Sequence, residues 1–288
     1  MAEIELKVDE ITNQDNTINV EMSEEEISFL KYLLKEYNPK KIVEIGISAG
    51  GNTVNLLQWK DKEAQLFSVD IAVQWYRDNT KLSGFMADEL DVKDNWKIYR
   101  GYDYLDVCEE IGDGIDFIVI DTVHAMPGEF LTFLAALPKL KDGCIVVLHD
   151  IHLNMKFFKN NQFGDYNIAA YCTGLLFAGV SSSQKWSVDV EGISNIGAFV
   201  VEESTRDNIK DVFRILCSAW FRYPHNLNLK AYSEYVEQNY SVDCYNLFEN
   251  CLNLQFKYFE DKHNHELQRQ SESKNNNSKL KNLINKYF

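Results

Sequence analysis

Five short apolar runs recur along the first 150 residues, and each ends in a glycine or a polar residue. Ile42, Val43 and Ile45 lead to Gly46; Leu66 to Val69 lead to Asp70; Trp96 to Tyr99 lead to Gly101. Ile115 to Ile120 lead to Asp121, and Cys144 to Leu148 lead to His149-Asp150. Short runs apolar on both faces are what a covered parallel strand requires. Helical patterns lie between them. Ser23-Glu24-Glu25-Glu26 reads as a capping box, followed by Ile27, Leu30, Leu34 and Tyr37 at helical spacing and a stop at Asn38-Pro39. Further helices are expected over 52–60 and 103–111, and from Pro127 onward with Phe130, Leu131, Leu134 and Leu137 on one face. Residues 75–91 read as helix with loop, and Lys141-Asp142-Gly143 as a turn.

This alternation predicts an α/β fold: a doubly wound, mostly parallel, Rossmann-like sheet. Ligands of such sheets bind beyond the carboxyl ends of the strands, where Gly46, Asp70, Gly101, Asp121 and His149-Asp150 all fall. After residue 150 the pattern changes. A polar and aromatic loop (151–165) precedes a helix (165–177). Two strands, 185–190 and 196–201, read as an antiparallel hairpin closing the sheet. The expected organisation is an N-terminal arm (1–22), a ligand-binding domain (23–205), a helical extension (206–262) and a polar tail (263–288), the last either a solvated helix or disordered.

Charge narrows the partners. With 44 acidic against 29 basic residues the net charge is −15, which argues against a nucleic-acid or anionic-membrane partner. The six cysteines form no CxxC pair and fall largely in apolar runs, as reduced core thiols do. With no signal-like N-terminus and no bilayer-length apolar run, the sequence reads as cytoplasmic. Self-association is left open.

The turn after the first strand carries the first chemistry. Gly46, Gly50 and Gly51 permit a sharp turn and close approach of a ligand, and Asn52 and Thr53 can cap the helix that follows. The spacing is neither GxGxxG nor a P-loop, so a diphosphate is poorly served. Glu44 next to the turn favours a cationic ligand, such as an ammonium or sulfonium. Asp70, ending the second strand, suits the hydroxyls of a ribose.

Val43-Glu44-Ile45-Gly46-Ile47-Ser48-Ala49-Gly50, taken with Asp70, resembles the first motif of class I S-adenosylmethionine-dependent methyltransferases. The resemblance covers about 25–205. It implies that Glu44, Gly46, Ser48, Gly50 and Asn52 cradle the methionine end of S-adenosylmethionine and that Asp70 holds the ribose. Gly101 and Asp103 then fall at the adenine, and Asp121 is also expected among the cofactor-binding residues. The pairing of Asp121-Thr122-Val123-His124 with Leu148-His149-Asp150-Ile151 is similar to the metal-assisted sugar and small-molecule O-methyltransferases, including the cephalosporin-hydroxylase-like group. Carried over, Asp121 and Asp150 ligate Mg²⁺, and His124, with Asp121, performs the base chemistry. This chain has His149 where an acidic pair is usual. Mg²⁺ prefers oxygen, so His149 with Asp121 and Asp150 suits another divalent metal or none.

The implied activity is O-methylation of a sugar or small-metabolite hydroxyl, with a small-molecule or glycoside acceptor. A non-catalytic methyltransferase-fold binding protein is the second reading. A nicotinamide-dependent dehydrogenase is the third, weakened by the missing GxGxxG and Tyr-xxx-Lys. Trp75 and Tyr76 are candidates to pack on adenine, and His152 to touch substrate. Trp220 to His225 reads more readily as packing than as an acceptor pocket.

Overall fold

The computed structural model describes residues 22–90, 93–190 and 192–287. The N-terminal arm lies outside them except for Met22. In chain order, α1 (Glu24–Tyr37) precedes β1 (Lys41–Ile45), α2 (Gly51–Trp59) and β2 (Gln65–Asp70). A small hairpin, β3 (Gln74–Trp75) and β4 (Asp78–Leu82), and one helical turn, α3 (Phe85–Asp88), lead to β5 (Trp96–Arg100). Then come α4 (Tyr104–Ile111), β6 (Ile115–Ile120), α5 (Gly128–Ala136) and β7 (Leu140–His149). The chain continues through α6 (Leu153–Lys159), α7 (Asp165–Ala169), α8 (Cys172–Gly179), β8 (Lys185–Val190) and β9 (Ile193–Val200). Four more helices follow: α9 (Glu203–Asp207), α10 (Ile209–Leu216), α11 (Leu229–Asn239) and α12 (Val242–Tyr287).

The sheet order is β5-β2-β1-β6-β7-β9-β8. The first five strands are parallel, and β9 and β8 join antiparallel at the far edge. The expected doubly wound architecture is therefore present. The order reverses between β1 and β6, and at such a switch point the loops diverge and open a crevice.

Side chains alternate across each strand. Val43, Ile45, Ile118 and Ile120 enter a core shared with α4, α5, α8, α10 and α11. Ile42, Phe117 and Val119 enter a second core against α1 and α2. Phe117 to Ile120 are fully buried, each contributing about 1.5–3 kcal/mol of transfer free energy. The C-terminal helices join the first core through Tyr232, Val236 and Phe248. The Tyr235 hydroxyl of α11 donates to the Ala135 carbonyl (2.9 Å) and that of Tyr240, just after α11, to Leu134 (2.6 Å), so the two tyrosines satisfy carbonyls at the open end of α5.

Four local expectations change, the first being that Lys141 to Gly143 belong to β7 rather than to a turn. Residues 75–91 hold the β3–β4 hairpin rather than mainly helix. The 151–165 loop contains α6, and the single helix expected over 165–177 is two, α7 and α8. The polar tail continues α12 as helix to Tyr287. No helix among the described residues is long and apolar enough to cross a membrane, and all six cysteines are free.

Candidate active site

A cavity of about 780 Å³ opens at the switch point, between the turns after β1, β2, β6 and β7. Its floor is the glycine turn. Gly46 has φ +90°, and a Cβ there would lie 1.7 Å from the Asp121 carbonyl oxygen. Gly50, at φ +94°, would meet Gly84 Cα at 2.8 Å. Both positions combine a left-handed backbone with no side-chain space, which leaves only glycine. Gly46, Ser48 and Asn52 line the cavity, whereas Gly50 shapes the turn from behind.

Asp70 holds this turn closed. Its Oδ2 accepts from the Ile47 and Ser48 amides (3.0 and 3.1 Å) and from the Ser83 hydroxyl (2.7 Å). Among the described residues, its Oδ1 accepts only from the Ala72 amide (2.8 Å). Asp70 lines the cavity, and Oδ1 is the oxygen with capacity left for a ligand. The expected ribose contact thus falls to one oxygen of a carboxylate already engaged in building the turn.

Glu44 does not face the cavity. Strand alternation turns it toward α2, where it is fully buried. It accepts there from Asn52 Nδ2 (3.2 Å), Thr53 Oγ1 (2.7 Å) and Ser68 Oγ (2.8 Å). Burial raises its pKa to about 7 against these hydrogen bonds. Glu44 therefore makes no direct contact with the cavity, unlike Asn52, which lines it. Asn52 donates to Glu44 and keeps its own Oδ1 without a partner.

Across the cavity, Trp75 donates from Nε1 to Ser48 Oγ (3.3 Å) and packs beside Phe85, tying the β3–β4 hairpin to the turn. Tyr76, Tyr102 and Asp103 also line the wall; Gly101 (φ +79°) turns the chain without reaching it. Asp103 caps α4 by accepting from the Tyr104 amide (2.8 Å) and also accepts from the Tyr232 hydroxyl (2.5 Å). Its carboxylate is largely committed to structure.

The opposite end is a cluster of acids and imidazoles. His124 Nε2 lies 3.5 Å from Asp121 Oδ1 and 3.3 Å from Asp150 Oδ2. One ligand atom from each of these three residues falls within 4.8 Å of the other two. His124 and Asp150 both have positive φ (55° and 59°), a conformation that non-glycine residues hold only when their surroundings impose it. The imposing contacts are visible: buried Glu129 accepts from the His124 amide (2.6 Å) and the Thr122 hydroxyl (2.8 Å). Asn195 Nδ2 donates to Asp150 Oδ1 (2.6 Å).

His149 is absent from this trio. It is 2 % exposed and lies behind the carboxylates rather than on the cavity wall. Nδ1 lies 3.3 Å from Asp121 Oδ2, and Nε2 lies 3.6 Å from Glu26 Oε2. Burial acts to lower its pKa, but Asp150, Asp121 and Glu26 hold it well above the usual imidazole range. Burial likewise opposes ionisation of Glu26 and Asp121. The facing imidazole nonetheless takes Glu26 down to about 2, and His149 with His124 holds Asp121 below its ordinary value. The cluster with the geometry to hold an ion is therefore Asp121, His124 and Asp150, while His149, expected among the ligands, is buried behind them beside Asp121 and Glu26.

Glu26, Glu129, Asn195 and Tyr166 escaped the sequence reading. Glu26 was visible only as a helix cap, a role it also plays by accepting from the Ser23 amide (2.6 Å). The Tyr166 hydroxyl donates to the Val123 carbonyl (2.9 Å), on the loop that carries His124. His152 is occupied by the Ser194 carbonyl (2.5 Å from Nδ1). In the 220–225 run, Trp220 is core, while Arg222 and Pro224 reach the cavity wall.

Residues 43–151 match the family model described as a methyltransferase domain. No curated protein matches the chain. Among solved structures, the O-methyltransferase TomG from Streptomyces achromogenes, involved in tomaymycin synthesis and bound to S-adenosylmethionine, is similar at 17 % identity and TM-score 0.47. That match covers 63 % of this chain and 82 % of TomG. An O-methyltransferase from Bacillus cereus in complex with S-adenosylhomocysteine is similar at 17 % identity and TM-score 0.47, covering 62 % and 82 %. Likeness at this level assigns no activity or acceptor.

Proposed function

Starting from residues 43–151 as a methyltransferase domain, we propose that the chain is an S-adenosylmethionine-dependent O-methyltransferase acting on a hydroxyl of a sugar or small metabolite. The observation that carries this reading is that the glycine turn and the Asp121/His124/Asp150 cluster line one cavity. The turn end suits the cofactor. Asn52 lines the cavity beside the turn, and Asp70 Oδ1 keeps capacity to accept from a ribose hydroxyl. The cluster end suits the acceptor.

The chemistry follows from these positions. A neutral hydroxyl is a weak nucleophile, and its proton must leave as oxygen attacks the methyl carbon. His124 Nε2, between two carboxylates, is the atom that receives it, and Asp121 and Asp150 stabilise the imidazolium that forms. The sulfonium supplies the electrophile, so the remaining task is alignment of oxygen, methyl carbon and sulfur. Tyr166 and Glu129 fix the loop that carries His124.

The same three residues are a fitting donor set for a divalent ion: two carboxylates and an imidazole with ligand atoms within 4.8 Å of one another. Two oxygens and a nitrogen suit Mn²⁺, Fe²⁺ or Zn²⁺ better than Mg²⁺. Such an ion would lower the pKa of the acceptor hydroxyl. His124 Nε2 cannot be both ligand and base, so the two versions separate experimentally. The test is transfer of labelled methyl from S-adenosylmethionine to a panel of glycosides and small hydroxyl compounds, with and without EDTA. Loss in His124→Gln with EDTA-insensitive wild type supports the base. Loss with EDTA, restored by Mn²⁺, supports the ligand. Transfer undiminished in both arms removes the cluster from the reaction.

A further inference from the structure

The acceptor end contains a cation that the reaction as described does not use. Arg222 lines the same cavity as the cluster and is exposed at its rim. Its segment is anchored: the Phe221 amide donates to the Met126 carbonyl (3.3 Å), and the Phe221 ring packs against Tyr166 at 6.0 Å. Tyr166 in turn bonds the carbonyl of Val123, next to His124. Arg222 is thus held on the His124 side of the cavity, across from the turn that Asp70 closes. Burial and the neighbouring Glu129 and Asp150 push the Tyr166 hydroxyl up to about 12 while Arg222 pulls it down, so the arginine charge is felt inside the cluster region.

What sets Arg222 apart is its lack of a partner. Arg100, Arg206 and Arg214 each pair with a carboxylate at 3.0 Å or less. Arg222 has no ion pair or hydrogen bond among the described residues. In a chain with 44 acidic residues, an arginine left unpaired on a cavity wall has its guanidinium fork available to a ligand. The fork matches a carboxylate or phosphate in two parallel hydrogen bonds. Phe157 and Tyr166 on the same wall offer apolar faces to the body of such a ligand.

Building on the acceptor site proposed above, we infer that the acceptor carries an anionic group, a carboxylate or phosphate, and that Arg222 binds it and orients the hydroxyl toward His124. This reverses the preference for a neutral or cationic acceptor that net charge alone would suggest. Arg222 is a specificity residue and takes no part in proton transfer.

The test is calorimetric binding of two matched series to the full-length protein, with and without S-adenosylhomocysteine. One series is glucose, glucuronate and glucose 6-phosphate; the other is phenol, 4-hydroxybenzoate and phenyl phosphate. In at least one series the charged members should bind at least about tenfold tighter than the neutral one, in keeping with a charge-assisted hydrogen bond. Arg222→Gln should erase that preference and Arg222→Lys should restore part of it, with S-adenosylhomocysteine affinity unchanged in both. Which charged member prevails distinguishes carboxylate from phosphate. Equal or absent binding of charged and neutral members in both series overturns the inference, as does a preference that survives Arg222→Gln. Loss of S-adenosylhomocysteine affinity in Arg222→Gln would assign the arginine to the cofactor carboxylate and also overturn it. If S-adenosylhomocysteine does not bind the wild type, the cofactor reading fails, while the arms without it still decide the role of Arg222.

Discussion

At the glycine-turn end of the cavity, polar groups are mostly consumed by the protein itself: Asp70 takes three donors on one oxygen, and Glu44 takes three side-chain donors. At the Asp121/His124/Asp150 end the reverse holds. His124 Nδ1, both nitrogens of His149, Glu129 Oε2 and Asn195 Oδ1 are buried without a hydrogen-bond partner among the described residues. Buried polar atoms are rarely left so, and where they are, a functional reason is the first to seek. The first end is a rigid, backbone-built seat. The second holds charge in reserve, with two residues at positive φ and an imidazole enclosed by acids. Binding and chemistry should therefore respond separately to mutation.

The largest effect is expected where the two ends touch. Gly46→Val places a side chain into the Asp121 carbonyl at a φ that valine avoids, and should destabilise the fold by about 3 kcal/mol or more. A thermal-melting shift of a few degrees or less would mean that the turn relaxes. Next, His124→Gln should lower methyl transfer by about 10²–10⁴-fold, the usual contribution of a positioned base, with the melting temperature little changed. Asp70→Asn should act on the other end. Losing a charged acceptor for two amides and a hydroxyl should weaken S-adenosylhomocysteine binding by roughly tenfold or more while leaving transfer at saturating cofactor close to wild type.

How much of this contrast the sequence made legible depends on the kind of signal. The strands could be read because β-branched runs such as Ile115 to Ile120 are apolar on both faces, and the strand-end residues followed from the topology. The β3–β4 hairpin was missed because Gln74 to Leu82 is too short and polar for period-2 alternation to stand out. Glu44 was misread although the signal was available: it lies between Val43 and Ile45, so alternation turns it to the opposite face. Glu26 and Glu129 could not be found, because pairing with His149 and with the His124 loop joins residues far apart in the chain or across a turn. The antiparallel β9 supplies Asn195 in the same way, from 45 positions beyond Asp150.

A further effect, on stability rather than activity, concerns Glu44 alone. Its folded pKa is raised to about 7 from 4.5, so between those values the folded state binds more protons than the unfolded state. Stability from this group is therefore fully present below about pH 4.5 and falls as pH rises through 7, by on the order of 3 kcal/mol. Melting temperatures measured across that window should decline in wild type and lose that part of the slope in Glu44→Gln. An identical slope in both proteins would mean that Glu44 is charged throughout.

Separation of a cofactor seat from a reaction cluster can be checked by calorimetric titration of S-adenosylhomocysteine into the wild type and His124→Gln side by side. One binding site per chain is expected in both, with dissociation constants within about twofold, because no hydrogen bond or ion pair among the described residues joins His124 to the glycine turn. No binding by the wild type, or binding lost together with the imidazole, would contradict it.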